Sequence, residues 1–337
     1  MGELSAVYAL CVFLMMMISR SETDARLTED ILHHNARLLN VIKSYEIIKP
    51  YRLEGRKKRH ASTKISSGHL PDTAIVFPSK KRLFHLDISL NKGLFSPQFE
   101  ANYISNDDPK FATQLPHEHC FYHGTVNGEE NSDVSLSTCD GIEGIIRTDD
   151  GTFFLQPLKS QDGQVLAEHV MFNADDVSEQ PATCGHSSHK RSLDKEIHHS
   201  HSTNFRKRVR RNALDETKYV ELFIINDKAQ FDKYGDKTEL RAKQLANHLD
   251  SIYRLRNIRI ALVKVETWKD RNLMTVDRNA SRALSNFLEY KKANLDQHKG
   301  KHFDNVQLIT GIDFDGSTVG YAPIQSICGK RSAAVVQ

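Results

Sequence analysis

Six residues, Arg206-Lys207-Arg208-Val209-Arg210-Arg211, split this chain into two stretches that do not read as one continuous packed core. From Asp175 up to this run apolar residues become sparse, and Ser, His, Lys and Arg dominate. Such a stretch cannot bury enough surface to offset its own ordering entropy, which makes it an exposed linker open to proteases. Arg208, Arg210 and Arg211 match the Arg-x-Arg-Arg preference of a furin-type proprotein convertase, whose acidic cleft takes such a cluster. The chain therefore reads as a proprotein with a pro-half and a mature half. A second match, Arg56-Lys57-Lys58-Arg59, could be an upstream cut, but reads more simply as a charged surface loop.

At 337 residues the chain has room for about two domains. The net charge of +3 is local in origin, because residues 190–211 alone hold eight Lys and Arg against two acids. A nucleic-acid-binding face would spread its basic residues over a folded surface with stacking aromatics, and that function class is set aside. Ala6 to Ile18 has the length of a signal-peptide core and is too short to span a bilayer; the alternative is a short buried or interfacial helix. Residues 1–21 are thus expected to direct secretion, and no other run suggests a membrane anchor. The place of action is then the extracellular space or the cell surface.

The five cysteines sort by position. Cys11 lies in the signal core. Cys120 and Cys139 flank the turn-rich His123-Gly124-Thr125-Val126-Asn127-Gly128 and suit a disulfide in an oxidising compartment. Cys184 and Cys328 have no evident partners. The sequon Asn279-Ala280-Ser281 agrees with secretion, although Asn279 also suits a helix cap.

Residues 22–175 read as a β-rich domain, with runs such as Arg82–Ile88 and Gly144–Arg147 separated by Gly, Asp and Asn turns. Residues 176–211 form the linker, and 212–337 alternate strand and helix. Strands are expected at Tyr219–Asn226, Ile258–Val265 and Val306–Thr310. Between them fall a helix opened by Asp236 and Glu239 as a capping pair, and a second helix over Ser281–Leu295. The first should bury Ala242, Leu245, Ala246, Leu249, Ile252 and Tyr253, and the second Leu284, Phe287 and Leu288. Right-handed crossovers then imply a mostly parallel sheet.

Chemistry is sparser. Phosphate loops, Gly-x-Gly-x-x-Gly, Gly-x-Ser-x-Gly and Cys-x-x-Cys are all absent. His117-Glu118-His119-Cys120, with His123, is dense in ligand types, yet Phe121 stands where a second zinc-binding histidine would be needed. A polar turn leading into a disulfide is the better reading. His186, His189, His198, His199 and His201 read as solvated linker residues, and His33-His34 carries no signal. Cys184, in Pro181-Ala182-Thr183-Cys184-Gly185, is placed to supply a thiolate to the open position of a catalytic zinc, excluding the water that the metal would activate. A stray unpaired cysteine is the plainer alternative.

Several segments resemble the ADAM family of reprolysin-type zinc metalloproteases. In the pro-half these are Ser44–Pro50, Phe84–Asp87 to Phe99-Glu100, and His119–Gly124 with Leu136–Cys139. In the mature half they are Tyr219–Asp227, Ala246–Tyr253, Asn257–Leu262 and Asp304–Gly311. The resemblance implies a β-rich prodomain followed by an α/β metzincin-type catalytic domain that proteolyses extracellular or membrane proteins. It implies that Cys184 is a cysteine switch and that cleavage after Arg211 activates a zymogen. It also implies that Thr318, Val319 and Gly320 form the edge strand pairing with substrate, that Glu221 and Asp304 help hold a structural calcium ion, and that Cys328 pairs with a cysteine farther along.

The family's His-Glu-x-x-His zinc helix does not occur in residues 1–337. The expected catalytic domain is therefore cut short before that helix, with no catalytic residue assigned and no cleaving activity from these residues alone. The alternatives are a non-catalytic secreted module that binds or inhibits a related protease, and an adhesion-type inactive member.

Overall fold

The computed structural model describes residues 31–105, 118–178, 183–184, 216–296 and 303–337. The chain forms two compact units, which do not follow linear order. Among the described residues, 31–90 and 122–178 make the first, and 91–105, 118–121, 183–184, 216–296 and 303–337 the second.

The first unit includes a helical turn, α1 (Ala36–Leu39), ahead of its strands. Short strands follow: β1 (Glu46–Ile48), β2 (Tyr51–Glu54), β3 (Lys57–His60), β4 (Lys64–Ile65), β5 (Gly68–His69), β6 (Asp72–Pro78) and β7 (Leu83–Leu90). The chain then leaves this unit through β8 (Phe95–Ile104) and returns with β9 (Phe121–Val126), β10 (Asp133–Ser137), β11 (Glu143–Thr148), β12 (Gly151–Lys159) and β13 (Val165–Asn173). Ten of these strands form one sheet in the order β1-β13-β12-β11-β10-β9-β7-β6-β2-β3. In β7 the side chains of Phe84, Leu86 and Ile88 are buried at every second position, as a strand with one face on the core requires.

Those residues join Ile75, Phe77, Tyr122, Val134, Leu136, Ile146 and Leu155 in one apolar cluster. Gly144 sits at φ +154°, and a Cβ there would lie 2.1 Å from the Ser135 carbonyl oxygen, so the crossing of β10 and β11 excludes any side chain. His169 is buried; its Nε2 accepts the Ile142 amide at 3.0 Å, which leaves Nδ1 to donate to the Ala167 carbonyl. Burial holds its pKa below the ordinary histidine value and favours this neutral form. The Arg56–Arg59 run, expected as a loop, instead contributes the exposed strand β3, where Arg59 pairs with Glu54 across the hairpin.

The second unit contains β8, then β14 (Thr183–Cys184), β15 (Lys218–Asn226), helix α2 (Lys228–Tyr234), helix α3 (Thr238–Arg254), β16 (Ile258–Trp268), helix α4 (Ala280–Tyr290), β17 (Asn305–Ile309), β18 (Thr318–Tyr321) and β19 (Ala333–Val336). Its seven-stranded sheet runs β14-β18-β19-β17-β15-β16-β8. Every pairing in it is parallel except β18 with β19, in keeping with the α/β expectation. Helix α4 lays Ala283, Leu284 and Phe287 on a core that includes Phe223, Trp268, Val306 and Val335, with Leu288 partly buried beside them. Asn279 caps it by accepting the Arg282 amide at 3.0 Å, and a π-helical turn over Lys291–Leu295 extends it to the expected end.

Helix α3 overturns two expectations. Its buried positions include Lys243, Gln244, Asn247, Asp250 and Ser251 as well as Ala242 and Ala246, while Leu245, Ile252 and Tyr253 face solvent. Ala242 and Ala246 are buried as apolar periodicity expects and Leu249 is half-buried, but the buried face is rotated toward polar residues matched by hydrogen-bonding groups, so Leu245, Ile252 and Tyr253 fall outside it. Its start also differs, because Asp236 lies in a 3₁₀ turn and Lys237 precedes the helix without a side-chain cap. The closing contact is Thr238 Oγ1 donating to the Gly235 carbonyl at 2.7 Å.

Candidate functional site

Strand β18 is the feature on which the expected site residues converge. Gly316, at φ +74°, takes the left-handed turn that glycine favours just before the strand. On one side β18 pairs antiparallel with β19, Gly320 opposite Val336 and Tyr321 opposite Val335. Its other side carries the linker segment β14, parallel, with Thr183 opposite Thr318 and Cys184 opposite Gly320. The Thr183 amide donates to the Ser317 carbonyl at 2.7 Å, and the Thr183 and Ser317 hydroxyls hydrogen-bond at 2.7 Å. Thr318, Val319 and Gly320 thus carry an extended segment on the side away from β19, and that segment contains Cys184. Main-chain pairing of this type is how an extended peptide gains affinity for a sheet edge.

Glu221 and Asp304 also meet. The Asp304 amide donates to the Glu221 carbonyl at 2.8 Å, and the Glu221 amide donates to Asp304 Oδ2 at 2.9 Å. These contacts splice the start of β17 to β15 through backbone. Calcium takes six to eight oxygens, so two carboxylates do not make a complete site. Cys328 lies against the same corner, its amide 3.3 Å from the Asp304 carbonyl oxygen, with its own backbone at φ +60°. Its thiol is free and exposed; partial burial, together with the Asp304 charge, pushes the thiol pKa up and disfavours the thiolate.

Among the described residues no three His, Cys, Asp or Glu side chains gather closely enough to hold a metal ion. The described residues accordingly do not fit a zinc centre. Cys120 and Cys139 are both disulfide-bonded. Asn279 is exposed, with its side-chain oxygen engaged as the α4 cap. The signal core with Cys11, the run carrying Arg208, Arg210 and Arg211, His117 and the linker histidines lie outside the described residues. No helix among the described residues is long and apolar enough to cross a membrane.

One cluster escaped the sequence reading entirely. Asp250, fully buried on α3, accepts Arg259 Nη2 at 2.8 Å, Arg259 Nε at 3.0 Å and the Ile260 amide at 2.7 Å. Asn91 completes it, donating to Asp250 Oδ2 and Asn247 Oδ1 at 3.0 Å each and accepting Arg259 Nη2 at 2.8 Å. The hydrogen bond to Asp250 raises the Arg259 pKa further, against a smaller opposing effect of burial. Asn91 and Asp250 are 159 positions apart, beyond the reach of any local pattern.

Residues 218–337 match the reprolysin (M12B) family of zinc metalloproteases, and residues 46–127 match the reprolysin family propeptide. Among curated proteins, the human disintegrin and metalloproteinase domain-containing protein 19 is 37% identical over 250 residues, covering 72% of this chain and 25% of that protein. The mouse protein of the same name is 36% identical over 250 residues, covering 72% of this chain and 26% of its own length. Mouse disintegrin and metalloproteinase domain-containing protein 12 is 35% identical over 257 residues, covering 74% of this chain and 28% of itself. The chain thus spans about a quarter of the length of these relatives. With both family matches falling on the two stretches that the basic run separates, the chain belongs to the ADAM family of reprolysin-type metalloproteases and carries residues of both its propeptide and its catalytic domain.

Proposed function

We propose that the chain is the zymogen portion of a secreted or cell-surface zinc metalloendopeptidase that acts on extracellular or membrane proteins. The observation that carries this reading is the pairing of Thr183–Cys184 with β18. A substrate strand laid on Thr318, Val319 and Gly320 would need the same outer backbone groups, so the segment around Cys184 blocks that edge by occupying it. A furin-type cut after Arg211 would separate this blocking segment from the mature half in sequence. Zinc belongs to the family's catalysis, and residues 1–337 supply no helix to bind it; a protein of these residues alone would cleave no peptide. Glu221 and Asp304 would contribute to a calcium site only with further ligands. Asn279 would carry a glycan through Nδ2, which capping by its oxygen leaves chemically available.

Two measurements test this. The secreted product should acquire Asn212 as a new N-terminus, and a chain that stays intact through the secretory pathway would remove the activation step. The transcript beyond the codon for Gln337 should encode a His-Glu-x-x-His helix, and in that longer protein Cys184→Ser should raise peptide cleavage before any linker cut. A stop codon with a stable secreted product would favour a non-catalytic module that binds a related protease, and a degenerate motif would favour an adhesion-type role.

A further inference from the structure

The β2–β3 hairpin of the first unit gathers positive charge that nothing in the protease reading uses. Residues 51–60 hold five Lys and Arg against one acid, Glu54. The fold draws this charge out along an edge: β3 ends the ten-stranded sheet, and its residues Lys57, Lys58, Arg59 and His60 are all exposed. Side chains alternate along a strand, so cations project from both faces at steps of about 3.3 Å. Among the described residues no strand pairs with the outer side of β3, which leaves backbone N–H groups directed outward there.

These charges are poorly answered from within the unit. Arg52 stands directly opposite Arg59 in the β2–β3 register, a like-charge pair that costs stability. The single carboxylate of the hairpin, on Glu54, is taken by Arg59 Nε at 2.8 Å. Arg52 Nε is buried without a hydrogen-bond partner. Blunting an edge against other strands needs charge on β3 alone, and gives no reason for a second arginine facing it from β2.

A row of cations with outward N–H donors fits a linear polyanion lying along the edge. An anionic membrane would also ask for apolar side chains to insert, and β3 has none. A single-stranded nucleic acid would ask for open aromatic faces, and the ring of Tyr51 is covered by Lys58 Nζ, 4.4 Å from its centre. A sulfated polysaccharide asks for neither, because its sulfates are spaced along a polar chain.

We propose that the β2–β3 hairpin is a binding site for a sulfated polysaccharide of the glycosaminoglycan class, with Arg52, Arg56, Lys57 and Arg59 as its sulfate contacts. A sulfate shared by Arg52 and Arg59 converts their repulsion into joint hydrogen bonding. The biological setting rests on the reading of the chain as secreted or displayed at the cell surface, whereas the binding itself is measured on purified protein and does not depend on that reading.

The test uses the full chain with Arg206, Lys207, Arg208, Arg210 and Arg211 replaced by Gln in every arm, so that the linker run neither binds the probe nor is cut. A fluorescently labelled heparin decasaccharide is the probe, and its anisotropy is followed at physiological ionic strength. Arg52→Gln, Lys57→Gln and Arg59→Gln should each weaken binding by about fivefold, the worth of one basic residue beside an anionic surface. Replacing the exposed Arg271 and Lys292 of the second unit together by Gln removes more charge than any of these, yet should change affinity by less than about twofold, because screened charges away from the contact contribute little. Arg52→Gln also separates binding from folding: thermal unfolding followed by circular dichroism should be unchanged or shifted upward, since the opposed pair is relieved, while the complex weakens. Absence of saturable binding would overturn the proposal, as would hairpin variants that bind as tightly as the parent or an equal loss in the Arg271 and Lys292 variant. Tighter binding to a single-stranded oligonucleotide or to phosphatidylserine vesicles would overturn it in favour of those partners.

Discussion

Helices α3 and α4 belong to the same unit and pack on the same sheet, yet they are held by opposite means. Helix α4 presents Ala283, Leu284 and Phe287 to a core of aromatic and aliphatic side chains, so its attachment is hydrophobic burial and close packing. Helix α3 presents Asn247 and Asp250, both buried and answered by Asn91 and Arg259, and the buried Lys243 paired within the helix to Glu239, while it turns Leu245, Ile252 and Tyr253 outward. The lesson is that a helix can be seated as firmly by a completed polar network as by an apolar stripe. Its dependence on partners is then greater, because an incomplete network leaves buried charge behind.

Cavity formation should give the larger single effect. Phe287 is fully buried among Phe223, Trp268, Val306 and Val335, and Phe287→Ala is expected to cost about 4 kcal/mol, the range for emptying an aromatic site. Trp268 is the only tryptophan in the chain and is itself buried in this unit, so its fluorescence during urea unfolding reports the second unit alone. A loss under about 1 kcal/mol would mean that the α4 core relaxes around the deletion.

For α3 the corresponding change is Asp250→Ala. It removes the carboxylate partner of the Arg259 guanidinium and the acceptor of the Ile260 amide, while Asn91 keeps Asn247, and is expected to cost about 3 kcal/mol, at the lower end for breaking a buried pair because the Arg259 side chain keeps 28% of its exposure. Asp250→Asn keeps the shape and one acceptor, so it should recover part of that loss in the same fluorescence assay. Equal costs for the two variants would assign the effect to the lost charge, whereas a near-wild-type Asp250→Asn beside a costly Asp250→Ala would assign it to packing and erase the contrast between the helices. A smaller effect belongs to the α4 start, where Asn279→Ala removes the acceptor of the Arg282 amide and should cost about 1 kcal/mol.

The contrast also explains what the amino-acid pattern disclosed. Helix α4 was legible because Leu284, Phe287 and Leu288 recur at helical spacing and bury against a partner that asks only for apolar surface. The strands around Phe84, Leu86 and Ile88 were legible for the matching reason at period two. Periodicity failed for α3 because its partner includes Asn91, brought from the other side of the basic run by a strand, β8, that leaves its sequence neighbours. At the candidate site Thr318–Gly320 and Cys184 were named through family likeness alone, and the structure pairs their backbones. The Asn91, Asp250 and Arg259 cluster was not, since three polar residues scattered over the chain carry no spacing signal until the fold assembles them.

The outward face of α3 supplies the smallest and sharpest expectation. Leu245, Ile252 and Tyr253 are 44%, 46% and 45% exposed, so in this unit they contribute little to holding the helix down. Replacing Leu245 and Ile252 together by Gln should shift unfolding by no more than about 0.5 kcal/mol per site, the ordinary range for surface positions. If these were the seating residues that apolar spacing suggests, each would cost about 2 kcal/mol or more, as a buried leucine or isoleucine does. A near-zero result in the Trp268 assay, set beside a large one for Asp250→Ala, would locate the hold of α3 on its polar side.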